Sequence, residues 1–194
     1  MSRIIVFNSL TLDGVMQAPA RPDEDTRGGF KHGGWASSYA EPGIGQAAGE
    51  SMATTGGLLL GRRTYEDFYK VWPNRTDNPF TEILNNSPKY VASTKLKEPL
   101  PWMNSILLKG DAADAVAKLK KQLDKDLVIL GSGILIQSLM KHNLIDEYTL
   151  LIHPLILGAG TRMFADGLSA TLRLVKSTTS STGVVIATYQ PIEK

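Results

Sequence analysis

The sequence predicts an α/β fold, a mixed and mostly parallel sheet that finishes in an antiparallel C-terminal hairpin. Three observations carry that reading. Val128–Met140, VILGSGILIQSLM, passes from a continuous apolar run through Gly131-Ser132-Gly133 into apolar residues at helical spacing, as a parallel strand covered on both faces does when it turns into a helix. Strand and helix signals alternate over most of the chain, the pattern that layers helices on a sheet. The last two runs, Leu172–Thr178 and Val184–Tyr189, are joined across Ser180 to Gly183 and read as a hairpin.

With 194 residues, 42% of them hydrophobic, and no shift in composition, residues 1–194 read as a single domain with a sizeable core. A net charge of +2, without a basic run interleaved with aromatics, argues against nucleic acid as a partner. No apolar stretch approaches the roughly 18 residues that span a bilayer, and MSRIIVFNSL lacks the apolar core and cleavage site of an export signal. No membrane partner is expected. Cysteine is absent, which removes disulfides and thiolate chemistry and fits the cytoplasm. His32, His142 and His153 are scattered, so no metal site is expected.

Arg3 to Leu10 is a first strand running into the turn Thr11-Leu12-Asp13-Gly14. Ligands of open α/β sheets gather at the carboxyl ends of strands, so Asp13 is placed to contact substrate or move a proton. Alternatively, it is a turn aspartate bonded to its own backbone. Val15 to Trp35 is dense in Pro, Gly and charge, and such a long loop is either a flexible substrate lid or a plain surface loop. A short helix follows over Ile44–Ala53.

Gly57–Leu60 is a buried strand, followed directly by Gly61-Arg62-Arg63-Thr64-Tyr65. Thr64 is expected to cap a helix running to about Tyr69, and with two guanidiniums at the same end the segment suits phosphate. The alternative is solvated charges beside an ordinary cap. Trp72–Asn78 is a loop, Pro79–Asn86 a short helix, and Lys89–Ser93 a strand ending in Ser93-Thr94-Lys95. Those groups suit a ribose 2′-phosphate, or form a simple polar turn.

Ser105–Leu108 is another strand. Asp111 then caps a scaffold helix through Leu123 with Val116, Leu119 and Leu123 on its buried stripe. In the opening stretch, the first-turn amides of the helix after Gly131-Ser132-Gly133 favour an anion, or the segment is a tight turn without a ligand. Asp146–Leu157 reads as a long apolar strand whose Pro154 suggests an edge or a bulge. Gly158 to Arg162 is a turn.

Taken in order, Leu12-Asp13-Gly14, Leu60-Gly61-Arg62-Arg63-Thr64-Tyr65-Glu66, Val91-Ala92-Ser93-Thr94, Leu130-Gly131-Ser132-Gly133 and Ile145-Asp146-Glu147-Tyr148 through Pro154-Leu155-Ile156-Leu157-Gly158-Ala159-Gly160 resemble the dihydrofolate-reductase-like superfamily. More narrowly, they resemble the C-terminal reductase domain of the bifunctional riboflavin-biosynthesis deaminase/reductase. The resemblance implies a three-layer fold and NADPH bound across the strand ends. By matching position, Gly61, Arg62, Arg63 and Thr64 would face the cofactor phosphates, and Ser93 with Thr94 the adenosine ribose and its 2′-phosphate. Gly131, Ser132, Gly133 and Ile134 would support the pyrophosphate and the nicotinamide side.

Asp13 matches the family's L-D-G aspartate. Glu41, following Trp35, is the nearest approximation to the acidic residue that dihydrofolate reductase carries on its first helix, and Leu151 stands where that enzyme has a threonine supporting the pterin. The deaminase half's H-x-E and P-C-x-x-C pattern is missing from this chain. The implied activity is hydride transfer from NADPH to a C=N or C=O of a small pyrimidine-, pterin- or sugar-derived substrate, as in a phosphoribosylaminouracil reductase of riboflavin biosynthesis, with Asp13 or Glu41 orienting substrate or relaying a proton. A nucleotide-binding protein of the same fold without turnover is the alternative. A homodimer is also implied, through the Tyr148–Leu157 run and the final hairpin.

Overall fold

The computed structural model describes residues 1–53 and 55–192. Among these, eight strands form one sheet: β1 Ile4–Thr11, β2 Thr55–Gly61, β3 Lys89–Ala92, β4 Ser105–Leu108, β5 Asp126–Leu130, β6 Glu147–His153, β7 Leu172–Thr179 and β8 Val185–Pro191. Five α-helices connect or flank them: α1 Pro42–Ala53, α2 Arg62–Tyr69, α3 Phe80–Asn86, α4 Ala112–Gln122 and α5 Gly133–Lys141. The strand order is β4-β3-β2-β5-β1-β6-β8-β7. The first six run parallel, and β8 is antiparallel to both neighbours.

Alternation along the central strands sends side chains to two cores. On one face Ile4, Val6, Leu59, Leu127 and Ile129 pack under Val116 and Leu119 of α4 and Leu135, Ile136 and Leu139 of α5. On the other, Ile5, Leu58, Leu60, Val91 and Val128 pack under Tyr65 of α2, Leu84 of α3 and Met52 of α1. Helices on both faces explain why the strands read as unbroken apolar runs. Asp111 caps α4 as expected, its carboxylate accepting from the N–H groups of Ala113 and Asp114.

The C-terminal third differs from expectation in two places. Pro154 marks neither an edge nor a bulge: β6 ends at His153 and lies between β1 and β8, so the proline terminates an interior strand. The Tyr148–Leu157 run is also largely internal, with Tyr148, Leu150 and Leu151 all buried, which leaves the β7 edge with Leu174 and Val175 exposed.

The loop from Val15 onward has a core of its own. Val15, Ala18, Phe30 and Trp35 are buried against Leu155 and Leu157, and Gly160 is tolerated there only as glycine, because a Cβ would fall 2.6 Å from the Phe30 ring and 2.8 Å from Val15. Gln17 ties the loop together. Its amide donates to the Asp25 and Arg27 carbonyls and its oxygen accepts from the Thr161 N–H and hydroxyl. The segment expected to be either a flexible substrate lid or a plain surface loop is thus packed and held to the turn after β6.

Candidate cofactor and substrate site

Because six strands are parallel, their carboxyl ends share one edge, and the three loops nominated from sequence follow the adjacent strands β3, β2 and β5. Two of them are directly bonded. The Gly61 N–H donates to Ser132 Oγ at 3.0 Å, the Ser132 N–H donates to Thr64 Oγ1 at 2.9 Å, and the Ser132 hydroxyl donates to the Leu130 carbonyl at 3.1 Å. Thr64 is thus not the helix cap that was expected. α2 starts at Arg62 with Gly61 in the cap position, and Thr64 lies within the first turn with its hydroxyl turned to the neighbouring loop.

Gly131 has φ +61°, and a Cβ there would meet Thr64 Cγ2 at 3.0 Å. Asn8 holds the same peptide from below, accepting from the Gly131 N–H at 2.7 Å and donating to its carbonyl at 3.1 Å. The first-turn amides of α2 and α5 have no partner inside their helices and point to the shared edge. Arg62 pairs with Glu66 at 2.7 Å, whereas Arg63 is exposed. Ile134, at the start of α5, is 65% exposed.

Beyond β2, the turn after β3 is stabilised by Ser93, whose Oγ accepts from the Lys95 and Leu96 N–H groups at 3.0 Å each. Its hydroxyl proton remains available. Ser93 and Thr94 line an open groove of about 440 Å³.

Sequence reasoning missed the crevice on the sheet face between α1 and α2. Phe7 and Ser9 are only half-buried although β1 is a central strand. Phe7 touches both the core beneath α2 and the cluster that includes Ile44 and Ala47 of α1, so it forms the floor between them, beside Leu130. The neighbouring hydroxyls on this face are engaged: Thr11 donates to Asp13, and Thr149 bonds Thr188. Ser9 is the half-buried hydroxyl left to meet a ligand. The available signal was Asn8-Ser9, two polar residues inside the apolar run Ile4–Leu10.

His153 lies at the carboxyl end of β6, buried between Trp35 and Tyr39, with ring centroids 5.1 and 5.3 Å away in edge-on geometry. Its Nδ1 donates to the carbonyls of Leu151 and Leu10. Burial pushes its pKa down, which keeps the ring neutral.

Among the described residues, neither of the two carboxylates named from sequence bonds to the three loops. Asp13 accepts from the Thr11 hydroxyl at 2.6 Å, the Gly158 N–H at 2.8 Å and the Leu157 N–H at 3.2 Å. The Thr11 hydroxyl bond and then those two N–H groups hold it down to about 2, an ionised carboxylate joining the turns after β1 and β6. A group fixed in that state is a poor proton donor near neutral pH, so of the two roles expected for Asp13, proton relay is the one its surroundings oppose. Glu41 accepts from both the N–H and the hydroxyl of Ser181, in the β7–β8 turn.

Comparison with known proteins agrees with this architecture. A model of the RibD C-terminal domain matches residues 2–186. YyaP of Bacillus subtilis (strain 168), described as uncharacterized, is 28% identical over 193 residues, covering 96% of this chain and 94% of its own. A protein provisionally assigned to riboflavin biosynthesis, from Shewanella sp. PV-4, superposes with TM-score 0.74 at 26% identity, covering 98% of this chain and 99% of its own. Dihydrofolate reductase from Enterococcus faecalis, solved with NADP(H) and RAB-propyl, shares the fold at TM-score 0.63 and 14% identity, covering 98% and 97% of the two chains.

Proposed function

This chain belongs to the RibD C-terminal domain family, and from that premise we propose that it is a reductase passing hydride from NADPH to a C=N or C=O of a small pyrimidine-, pterin- or sugar-derived substrate. The observation that carries the reading is the bonded pair of loops, Gly61–Thr64 and Gly131–Gly133, beside a crevice whose floor is Phe7, Ser9 and Leu130. The donor set suits a dinucleotide. First-turn amides of two helices and the exposed Arg63 match a pyrophosphate, and the hydroxyls of Ser93 and Thr94 match the adenosine ribose.

In this reading NADPH supplies the hydride, from nicotinamide C4, to the acceptor carbon. The chain's own residues bind and orient. Arg62, Arg63 and Thr64 hold the phosphates together with Gly61, while Gly131, Ser132, Gly133 and Ile134 carry the pyrophosphate and nicotinamide side. Phe7 and Leu130 offer a flat apolar floor that places the acceptor, and Ser9 offers a hydroxyl to its polar edge. The packed loop from Val15 to Trp35 excludes water. Asp13, which accepts from the Thr11 hydroxyl and from the Leu157 and Gly158 N–H groups, positions the turns after β1 and β6, and solvent supplies the proton that completes reduction. The exposed β7 edge with Leu174 and Val175 supports a homodimer, which light scattering checks.

One observation favours a second reading. Asp13 and Glu41 are both engaged by main-chain N–H groups, as suits a nucleotide-binding protein without turnover. The assay is NADPH oxidation with a phosphoribosylaminopyrimidine and with dihydrofolate as acceptors. The reductase predicts oxidation with the pyrimidine and little with the folate. Tight NADPH binding without oxidation by either acceptor supports the second reading instead.

A further inference from the structure

The groove at the carboxyl ends of β3 and β4 has two charged walls. From the turn after β3 come Ser93, Thr94, Lys97 and Glu98, and from the turn after β4 come Lys109 and Gly110. Lys109 Nζ lies 2.6 Å from Glu98 Oε2, with the two side chains 71% and 49% exposed. Lys97 is exposed too, and no carboxylate of the described residues lies within ion-pair distance of it. So exposed a pair is held weakly, which leaves either member available to a ligand. The groove continues the proposed nucleotide path, because Ala92 of β3 stands beside Gly61 of β2 in the parallel register.

We infer that Glu98 and Lys109 set the choice between NADPH and NADH. The inference rests on the nucleotide reading above and adds the residues that discriminate. A 2′-phosphate brings about two negative charges to the groove, whereas a ribose 2′-hydroxyl brings none and can donate to a carboxylate. To meet the phosphate, Lys109 must turn from Glu98, and the released carboxylate then repels the same phosphate across a few ångströms. Lys97 and Lys109 therefore favour NADPH, and Glu98 opposes it. With two cations against one anion, the balance lies modestly with NADPH and weakens as salt screens the groove.

The experiment is titration of the whole protein with NADPH and with NADH, for the parent, Glu98→Gln and Lys109→Met, with thermal unfolding curves recorded alongside. Glu98→Gln is expected to tighten NADPH about threefold and Lys109→Met to weaken it about fivefold, with NADH changed by less than about 1.5-fold in either. All three proteins are expected to unfold together, since both side chains are largely exposed. The inference is overturned if both nucleotides shift in parallel or if the NADPH-to-NADH ratio is the same in all three proteins. A parent that binds NADPH with an unresponsive ratio defeats this inference alone, while a parent that binds neither nucleotide defeats the proposed function as well.

Discussion

Replacing Thr64 by valine keeps the shape of the side chain and removes the one atom among the described residues that receives the Ser132 N–H. Ser132 is 8% exposed and sits at φ +57°, so water does not readily replace the lost acceptor. A buried donor left unmet costs about 1–3 kcal/mol, while the change in helix propensity from threonine to valine is small. The free protein loses that stability. If the Gly131–Gly133 turn relaxes, nucleotide must restore it on binding, and the same energy bounds the loss of NADPH affinity at about 5- to 150-fold. Thr64→Ser retains the hydroxyl and serves as the control. The assays are chemical unfolding without nucleotide and an NADPH titration followed by tryptophan fluorescence. The reasoning is refuted if the valine variant unfolds and titrates like the parent, or if serine fares no better than valine.

Three further outcomes follow from named contacts. Ser9→Phe fills the crevice floor and should abolish acceptor reduction while NADPH affinity stays within about twofold; equal loss of both would place the acceptor elsewhere. Arg27 bonds Asp25 and Asp67 at 2.6 Å each, strapping the loop after β1 to α2, so Arg27→Met should hasten nucleotide release in stopped-flow, by a margin that vanishes near about 1 M salt. Lys89 is fully buried, with Nζ donating to the carbonyls of Leu84, Asn85 and Ser87 at 2.8–2.9 Å above the Trp102 ring. Lys89→Met strands those acceptors and should lower stability by about 2–4 kcal/mol in urea unfolding.

Burial pushes the Lys89 ammonium down to about 8 from 10.5. Between those values the unfolded chain binds more protons than the folded one, so the parent should gain stability as pH rises through that window. The methionine variant should not. A gap between the two proteins that stays constant from pH 8 to pH 10.5 would contradict the assignment.

The legible parts of this chain were those governed by local pattern. Val128–Met140 announced strand, turn and helix because burial on both faces leaves an uninterrupted apolar run, and parallel strands then put the turns after β2, β3 and β5 on one edge. What sequence could not show is pairing between distant residues. Thr64 reads as a cap because threonine before a helical stretch usually is one, yet its partner is 68 positions away. Asp13 reads either as a group facing substrate or as an aspartate bonded within its own turn, because Leu157 and Gly158, whose N–H groups it accepts from, lie 144 and 145 positions on. Lys89 and Lys120 are both buried against acceptors that local sequence does not reveal, the carbonyls at the end of α3 for Lys89 and the Leu144 carbonyl and Asp146 carboxylate for Lys120. Pro154 suggested an edge because nothing local reveals that β8 returns to cover β6.

The most direct test is a crystal structure of the protein grown with NADPH. The account predicts the nucleotide lying across the carboxyl ends of β5, β2, β3 and β4, its pyrophosphate against Gly131-Ser132-Gly133 and its nicotinamide beside Ile134, facing the crevice whose floor is Phe7, Ser9 and Leu130. Nucleotide bound on any other surface, or a crevice that stays closed to it at saturating concentration, contradicts the account.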